Sequence, residues 1–152
     1  MLLNSDNIYE EFVYFHNQDA PGIRHSGDNR TGEGEGDDEQ IHITFNEIPT
    51  SVQTMVLAIS AHEGDFMSVD NAYVRLVDVA SGREIIKFEL SGKFQESSLL
   101  CCKLFRDAGQ WRLFVIGEQL GGRCIVDFFF TDSYGPAAVL RNTFKRLSWC
   151  RP

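Results

Sequence analysis

The sequence is short of positive charge. Its 152 residues include 14 lysines and arginines against 22 aspartates and glutamates, which gives a net charge of -8. Proteins that bind nucleic acids hold the phosphate backbone through Lys and Arg, so this composition argues against a nucleic-acid partner. It favours cations or basic partner surfaces instead. A hydrophobic content of 43% indicates a globular chain, and its length predicts a single domain over residues 1–152.

Cysteine pairs with metal-ligand spacing are also missing. The four cysteines, Cys101, Cys102, Cys124 and Cys150, form no C-x-x-C motif, so a zinc site has little support. The chain begins MLLNSDN, in which polar residues follow at once, and this predicts no signal peptide. No apolar run approaches the length of a membrane span. We therefore expect a cytoplasmic protein whose cysteines are reduced and serve as small apolar side chains.

Acidic residues are concentrated in one glycine-rich segment, RHSGDNRTGEGEGDDE at residues 24–39. Six carboxylates this close repel one another unless a cation lies among them, and glycines allow a tight loop that brings several oxygens together. Hard divalent cations prefer such oxygen ligands. The same composition also fits a solvated loop without metal, which stays open as an alternative. The six carboxylates belong to Asp28, Glu33, Glu35, Asp37, Asp38 and Glu39.

Two familiar loop motifs do not fit this segment. Counted from Asp28, Arg30 and Gly32 fall where an EF-hand needs Asp or Asn, and only Glu39 matches. No Gly-Lys-Ser or Gly-Lys-Thr follows, as a phosphate-binding P-loop requires, and clustered acids repel phosphate.

The rest of the chain has the pattern of short strands separated by turns. QIHITF at 40–45 alternates polar and apolar residues, as half-buried strands do. TMVLAIS at 54–60 is a continuous apolar run, which predicts a central strand. Asp107-Ala108-Gly109 predicts a hairpin turn. Further apolar segments lie at 12–16, 72–78, 84–90, 99–106 and 111–117. The pattern predicts a mainly β protein, a β-sandwich of two antiparallel-rich sheets.

The C-terminal segment has a different periodicity. Residues 137–149 place Leu140, Thr143, Phe144 and Leu147 on one helical face, with cations elsewhere, which predicts a short C-terminal helix. Gly135-Pro136 is a helix-start signal. We expect the helix to cover a face or edge of the sandwich, and binding to an anionic membrane is the less favoured alternative.

The acidic loop, HSGDNRTGEGEGDDEQI at 25–41, resembles the signature loop of the TerD family of tellurium-resistance and calcium-binding stress proteins. The resemblance extends to VYFHNQ at 13–18, which is similar to the strand leading to that loop. It continues in NAYVRLVD at 71–78, in the strand that follows, and in LFRDAGQWRLFVIGEQLGG at 104–122. It covers about residues 2–122, whereas residues 123–152 diverge from the family.

The resemblance implies a β-sandwich that binds calcium through acidic loops, with no catalytic activity. It implies a cytoplasmic role in the stress response and in tellurite resistance, with protein partners in a stress-response complex. Calcium, as one ion or more, is then the expected cofactor. The implied metal ligands are Asp28, Asn29, Thr31, Glu33, Glu35, Asp37, Asp38 and Glu39. Arg30 is expected to anchor the loop by an ion pair.

The chain departs from the family pattern at its start, in the loop HEGD at 62–65, and after Gly122. Family members carry an Asp-rich strand before the residues that match Leu2-Leu3-Asn4. Without it we expect an incomplete set of calcium ligands and an open sheet edge that favours self-association.

Two other functions remain as alternatives. One is a metal-free protein-interaction module that uses the acidic loop and the exposed sheet edge. The other is a metal-dependent hydrolase, which ranks last because the sequence offers no convincing base or nucleophile. The histidines are predicted to be hydrogen-bonded or surface residues rather than ligands or bases. They are His16, His25, His42 and His62.

Overall fold

The computed structural model describes residues 1–29, 36–61 and 65–120. These residues form ten β-strands and no helix, so the predicted mainly β class is confirmed. The strands are β1 (Leu2–Leu3), β2 (Tyr9–Glu11), β3 (Asp19–Ala20), β4 (Ile23–His25), β5 (Ile41–Ile43), β6 (Thr54–Ser60), β7 (Tyr73–Asp78), β8 (Arg83–Glu89), β9 (Ser98–Asp107) and β10 (Gln110–Leu120). The helix predicted at 137–149 lies outside the described residues.

The strands form three sheets. A five-stranded sheet has the order β10-β9-β6-β1-β2, a three-stranded sheet the order β3-β4-β5, and β7 pairs with β8. The pairs β1–β2, β1–β6, β3–β4, β4–β5 and β7–β8 are all antiparallel. A packing of these sheets into a sandwich stays a prediction. The part of the chain that the structure describes has no helix long and apolar enough to cross a membrane.

The strand expected at residues 13–18 is wrong, because the chain turns there instead. Tyr14 and Asn17 donate their backbone N–H groups to each other's carbonyl oxygens at 2.9 Å. The Asn17 side chain also donates to the carbonyl oxygen of Phe12 at 2.7 Å and to Glu11 Oε1 at 2.8 Å. Asparagine side chains that hydrogen-bond to nearby backbone compete with extended structure, and here they close the turn.

Backbone contacts divide the chain into two compact units, and the prediction of one domain over 1–152 stays a prediction. The first unit comprises Met1–Met55 and Leu104–Leu113. Its strand β1 lies between two neighbours, since Leu3 is opposite Thr54 of β6 on one side and Tyr9 of β2 on the other. Leu3 is fully buried. Strand β1 is therefore paired on both sides within the chain, and the open sheet edge expected from the sequence stays a prediction.

Arg106 links three segments of the first unit. Its Nε and Nη2 donate to the carbonyl oxygens of Val52 and Ile48, each at 3.1 Å. Its guanidinium carbon lies 4.5 Å from the ring centroid of Trp111. These contacts hold the turn before β6 against the β9–β10 hairpin.

The second unit comprises Val56–Lys103 and the described residues from Phe114 onward. Its core includes Leu90, Leu99 and Leu100, which are fully buried. The buried hydroxyl of Ser98 is hydrogen-bonded to Ser60 at 2.8 Å. Residues 98–102 of β9 are all buried, and successive side chains alternate between the faces of a strand. Both faces of β9 are therefore covered along this stretch.

The thiols of Cys101 and Cys102 are expected to resist modification in the folded protein. Both are free and buried. Burial raises the pKa of Cys101 to about 12, with a further contribution from Cys102, and burial raises the pKa of Cys102 to about 11. Because the thiolate is the reactive form, iodoacetamide at pH 8 should label neither residue until denaturant is added. Peptide mass mapping distinguishes them from Cys124 and Cys150, and rapid labelling of the native pair would contradict the packing of β9.

Candidate functional site

The acidic loop is carried by the hairpin of β4 and β5. Their register places Ile23 opposite Ile43 and His25 opposite Ile41. Beyond the last pair, the N–H of Ser26 donates to the carbonyl oxygen of Gln40 at 2.8 Å, and the N–H of Gln40 donates to Ser26 Oγ at 2.8 Å. The two ends of the loop are thus joined by these hydrogen bonds, which close its base.

Glycines near each end of the loop give the backbone its turns. Gly27 has a φ of +103° and Gly36 a φ of +108°, a region that side chains with a Cβ rarely adopt. The N–H of Gly27 donates to Nδ1 of His25 at 3.0 Å. The first turn is therefore held by a side chain of β4, and the chain direction changes just before the carboxylates begin.

Four predicted ligands meet at the base of the loop. Glu39 Oε1 accepts the N–H of Asn29 at 3.2 Å, and the Glu39 carboxyl is also hydrogen-bonded to Asp28. The side-chain amide of Asn29 donates to Asp38 Oδ1 at 3.3 Å. The hairpin register thus brings Asn29, at one end of the segment, to Asp38 and Glu39 at the other end, with Asp28 beside Glu39.

The electrostatics of this base show that the carboxyl groups are crowded. The pKa of Glu39 is raised, first by burial, then by its hydrogen bond to Asp28, and further by the negative charges of Asp28 and Asp38. The N–H of Asn29 opposes this shift. A cation bound beside these carboxyl groups would offset the part of this shift that comes from their negative charges.

His25 lies directly beneath the carboxylates. It is buried, with 8% of its surface exposed, and its Nε2 lies 3.7 Å from Glu39 Oε2. Burial lowers the pKa of His25, and the negative charge of Asp28 opposes the shift. His25 is hydrogen-bonded, as predicted from the sequence, but its proximity to Glu39 was not predicted. The available signal was the period of two, which places His25 on the same face of β4 as the apolar Ile23.

The other predicted ligands are placed less fully. Asp37 is half-buried in the same loop. Thr31, Glu33 and Glu35 lie outside the described residues, as does Arg30. Within residues 1–29, 36–61 and 65–120, no three His, Cys, Asp or Glu side chains converge as a metal site requires.

The second acidic segment, at 62–65, is described only at Asp65. Its carboxylate accepts the N–H of Ser68 at 3.1 Å and so closes a turn. His62 and Glu63 lie outside the described residues.

Comparison with known proteins identifies the family. The TerD domain model matches residues 1–125. The chain is 38% identical to the uncharacterized protein YceE of Bacillus subtilis over 87% of this chain and 67% of the relative. It is 31% identical to stress response protein SCP2 of the same organism over 72% of this chain and 59% of the relative. It is 30% identical to tellurium resistance protein TerZ of Serratia marcescens, over 84% and 67%.

A solved structure has a similar fold. The crystal structure of a homologue of telluride resistance protein TerD from Streptomyces coelicolor superposes with a TM-score of 0.60 at 18% identity, over 75% of this chain and 68% of that one. At this identity the likeness concerns the fold alone. The chain spans about three fifths to two thirds of the length of YceE and SCP2. The match of the TerD domain to most of the chain shows that this protein belongs to the TerD family.

Proposed function

We propose that this protein is a non-catalytic calcium-binding module that acts in the stress response and in tellurium resistance. The observation that carries the proposal is the closure of the loop base by Asn29, which donates its backbone N–H to Glu39 and its side-chain amide to Asp38, with Asp28 beside Glu39. The names of relatives SCP2 and TerZ support the biological setting. We also propose that the sheets pack as a β-sandwich and that the protein is cytoplasmic.

The donor set fits calcium better than a softer metal. The predicted ligands at the loop base, Asp28, Asn29, Asp38 and Glu39, all offer oxygen atoms. Calcium takes six to eight oxygen ligands on flexible loops. Asp28, Asp38, Glu39 and the amide oxygen of Asn29 would hold the ion from this base. Asp37, Thr31, Glu33 and Glu35 are the proposed further ligands. A bound cation offsets the repulsion that raises the pKa of Glu39.

The state of His25 supports the non-catalytic part of the proposal. Its Nδ1 lone pair accepts the N–H of Gly27 at 3.0 Å, so the proton of the neutral ring is on Nε2. A ring in this state offers no free nitrogen lone pair with which to take a proton from water at the loop. The imidazole nearest to the carboxylates is thus unsuited to be a general base.

Calorimetric titration with calcium tests the proposal. After treatment with a chelator, the folded protein should bind calcium saturably at millimolar concentration or below, and magnesium should compete poorly, because it requires a smaller and stricter octahedral site. Circular dichroism before the titration confirms that the sample is folded. Absence of heat and of any spectral change with millimolar calcium, in a folded sample, would reject calcium as the ligand.

The runner-up function is a metal-free interaction module. Asp28 and Asp38 are exposed at the loop, so a basic surface of a partner in a stress-response complex, or of a second copy, could neutralise them. Gel filtration across protein and salt concentrations separates the two functions. Association that weakens with salt and is unaffected by a chelator supports the interaction module, whereas a monomer under all conditions argues against self-association.

A further inference from the structure

We propose that His25 is a positioning residue, which orients the Glu39 carboxylate toward the cation through a donor on its Nε2. The proposal rests on the proposed function, because it names how one ligand of that site is held. It concerns a residue that contributes no oxygen and that is not among the expected ligands.

The backbone places His25 in this role. In β4 its side chain points inward with that of Ile23, and only 8% of its surface is exposed. The backbone pair of Ser26 and Gln40, next along the hairpin, brings Glu39, the residue before Gln40, to the same end of the strands. A buried polar ring that lies under an acidic loop needs partners for both nitrogens. Gly27 supplies the partner of Nδ1, and Glu39 is the carboxyl group that faces Nε2.

The hydrogen bonds of the ring determine which nitrogen carries the proton. Nδ1 accepts the N–H of Gly27 at 3.0 Å, and a neutral imidazole has one donor and one acceptor. Nε2 is therefore the donor. It lies 3.7 Å from Glu39 Oε2, and a movement of less than about 1 Å brings it to hydrogen-bonding distance.

A hydrogen bond from Nε2 would then hold Glu39 from two sides. Its Oε1 accepts the N–H of Asn29 at 3.2 Å, and its Oε2 faces the His25 donor. Donors on both oxygens restrict rotation of the carboxylate, so less rotamer entropy is lost when a cation binds. Outer partners of metal ligands typically change metal affinity by about 10–100-fold when they are removed.

The tautomer can be tested on the metal-free protein. Long-range 1H–15N correlation spectra of the histidine rings distinguish the two neutral forms, and His25→Asn identifies the signal. We expect the Nε2–H form for His25, with Nδ1 as the acceptor. Observation of the Nδ1–H form would overturn the proposal, whether or not the protein binds metal.

Two substitutions distinguish the role of Nδ1 of His25 from that of Nε2. The side-chain oxygen of Asn in His25→Asn can replace Nδ1 and accept from Gly27, whereas the longer Gln in His25→Gln extends its amide nitrogen toward the Nε2 position. The probe is Eu3+, whose luminescence lifetimes in H2O and D2O report the number of water molecules on the ion. His25→Asn should weaken binding by about 10–100-fold and add about one or two waters, because a bidentate carboxylate occupies two positions.

His25→Gln should stay close to the wild type in affinity and in hydration. Glu39→Gln serves as the matched control and should add water as His25→Asn does. The proposal would be overturned if Eu3+ carried the same number of water molecules in all four proteins. It would also be overturned if His25→Asn kept the wild-type affinity and hydration while His25→Gln lost them. Either result would leave His25 a purely structural role through Gly27. Melting curves without metal show whether each variant is folded. Failure of the wild type to bind Eu3+ would instead overturn the proposed function, while the tautomer still decides whether His25 donates toward Glu39.

Discussion

Leu3→Ala is expected to lower the free energy of unfolding by about 2–5 kcal/mol, the usual cost of truncating a buried leucine. Leu3 is fully buried although β1 has only two residues. Neighbouring strands flank it on both sides, through Thr54 and Tyr9. The surrounding strands cannot collapse easily into the space that the missing atoms leave, so a cavity adds to the loss of hydrophobic burial.

Urea denaturation followed by circular dichroism measures this effect. The matched control is Ile8→Ala in the same part of the chain, because Ile8 is 55% exposed and surface substitutions usually change stability by less than about 0.5 kcal/mol. A loss below about 1 kcal/mol for Leu3→Ala would mean that β1 is not packed as the structure shows.

Saturating calcium is expected to stabilise the folded protein by about 3–4 kcal/mol at concentrations of 100 to 1,000 times Kd, as mass action requires of a ligand that binds only the native state. Asp38→Asn should remove much of this gain, because it replaces a charged ligand by a neutral one. Without metal the same substitution should raise the melting temperature slightly, since the charge of Asp38 acts unfavourably on Glu39. The sign of the effect thus reverses between the two conditions.

Thermal melts with calcium and with a chelator measure the change in melting temperature that Asp38→Asn causes under each condition. Asp107→Asn is the control, because it removes one exposed carboxylate that pairs with Arg112 at 3.4 Å, outside the loop. This variant should keep the full response to calcium. A response that is equal in wild type and Asp38→Asn would place the binding site elsewhere in the protein.

Local sequence signals predicted the longer strands well. The apolar run TMVLAIS corresponds to β6, residue for residue. The turn expected at Asp107-Ala108-Gly109 joins β9 to β10, with φ of +48° at Ala108 and +79° at Gly109. Positive φ at both central residues is the geometry of a type I′ turn, whose twist matches that of paired strands.

The short strands could not be predicted in the same way. Strands β1 to β4 contain two or three residues each, too few for any periodicity. They exist because distant segments pair with them. The strand expected at VYFHNQ from the family resemblance is absent, because hydrogen bonds of Asn17 close a turn there.

The family resemblance suggested a set of ligands in the loop but not which of them touch. Asp28, Asn29, Asp38 and Glu39 meet because the register of β4 and β5 aligns the two ends of the loop. The contact of His25 with Glu39 depends on the same register. Pairing between strands is a long-range property, and neither charge nor glycine content encodes it.

The backbone pair of Ser26 and Gln40 makes the stability of the hairpin largely independent of the length and composition of the loop. Because this pair already closes the segment, a doubling of the loop length adds only about 0.6 kcal/mol of closure entropy. Insertions, deletions and exchanges of acidic residues between Gly27 and Glu39 therefore leave the hairpin itself largely unaffected. Substitutions in the loop can therefore change which ion or partner it binds while the hairpin that carries it stays folded.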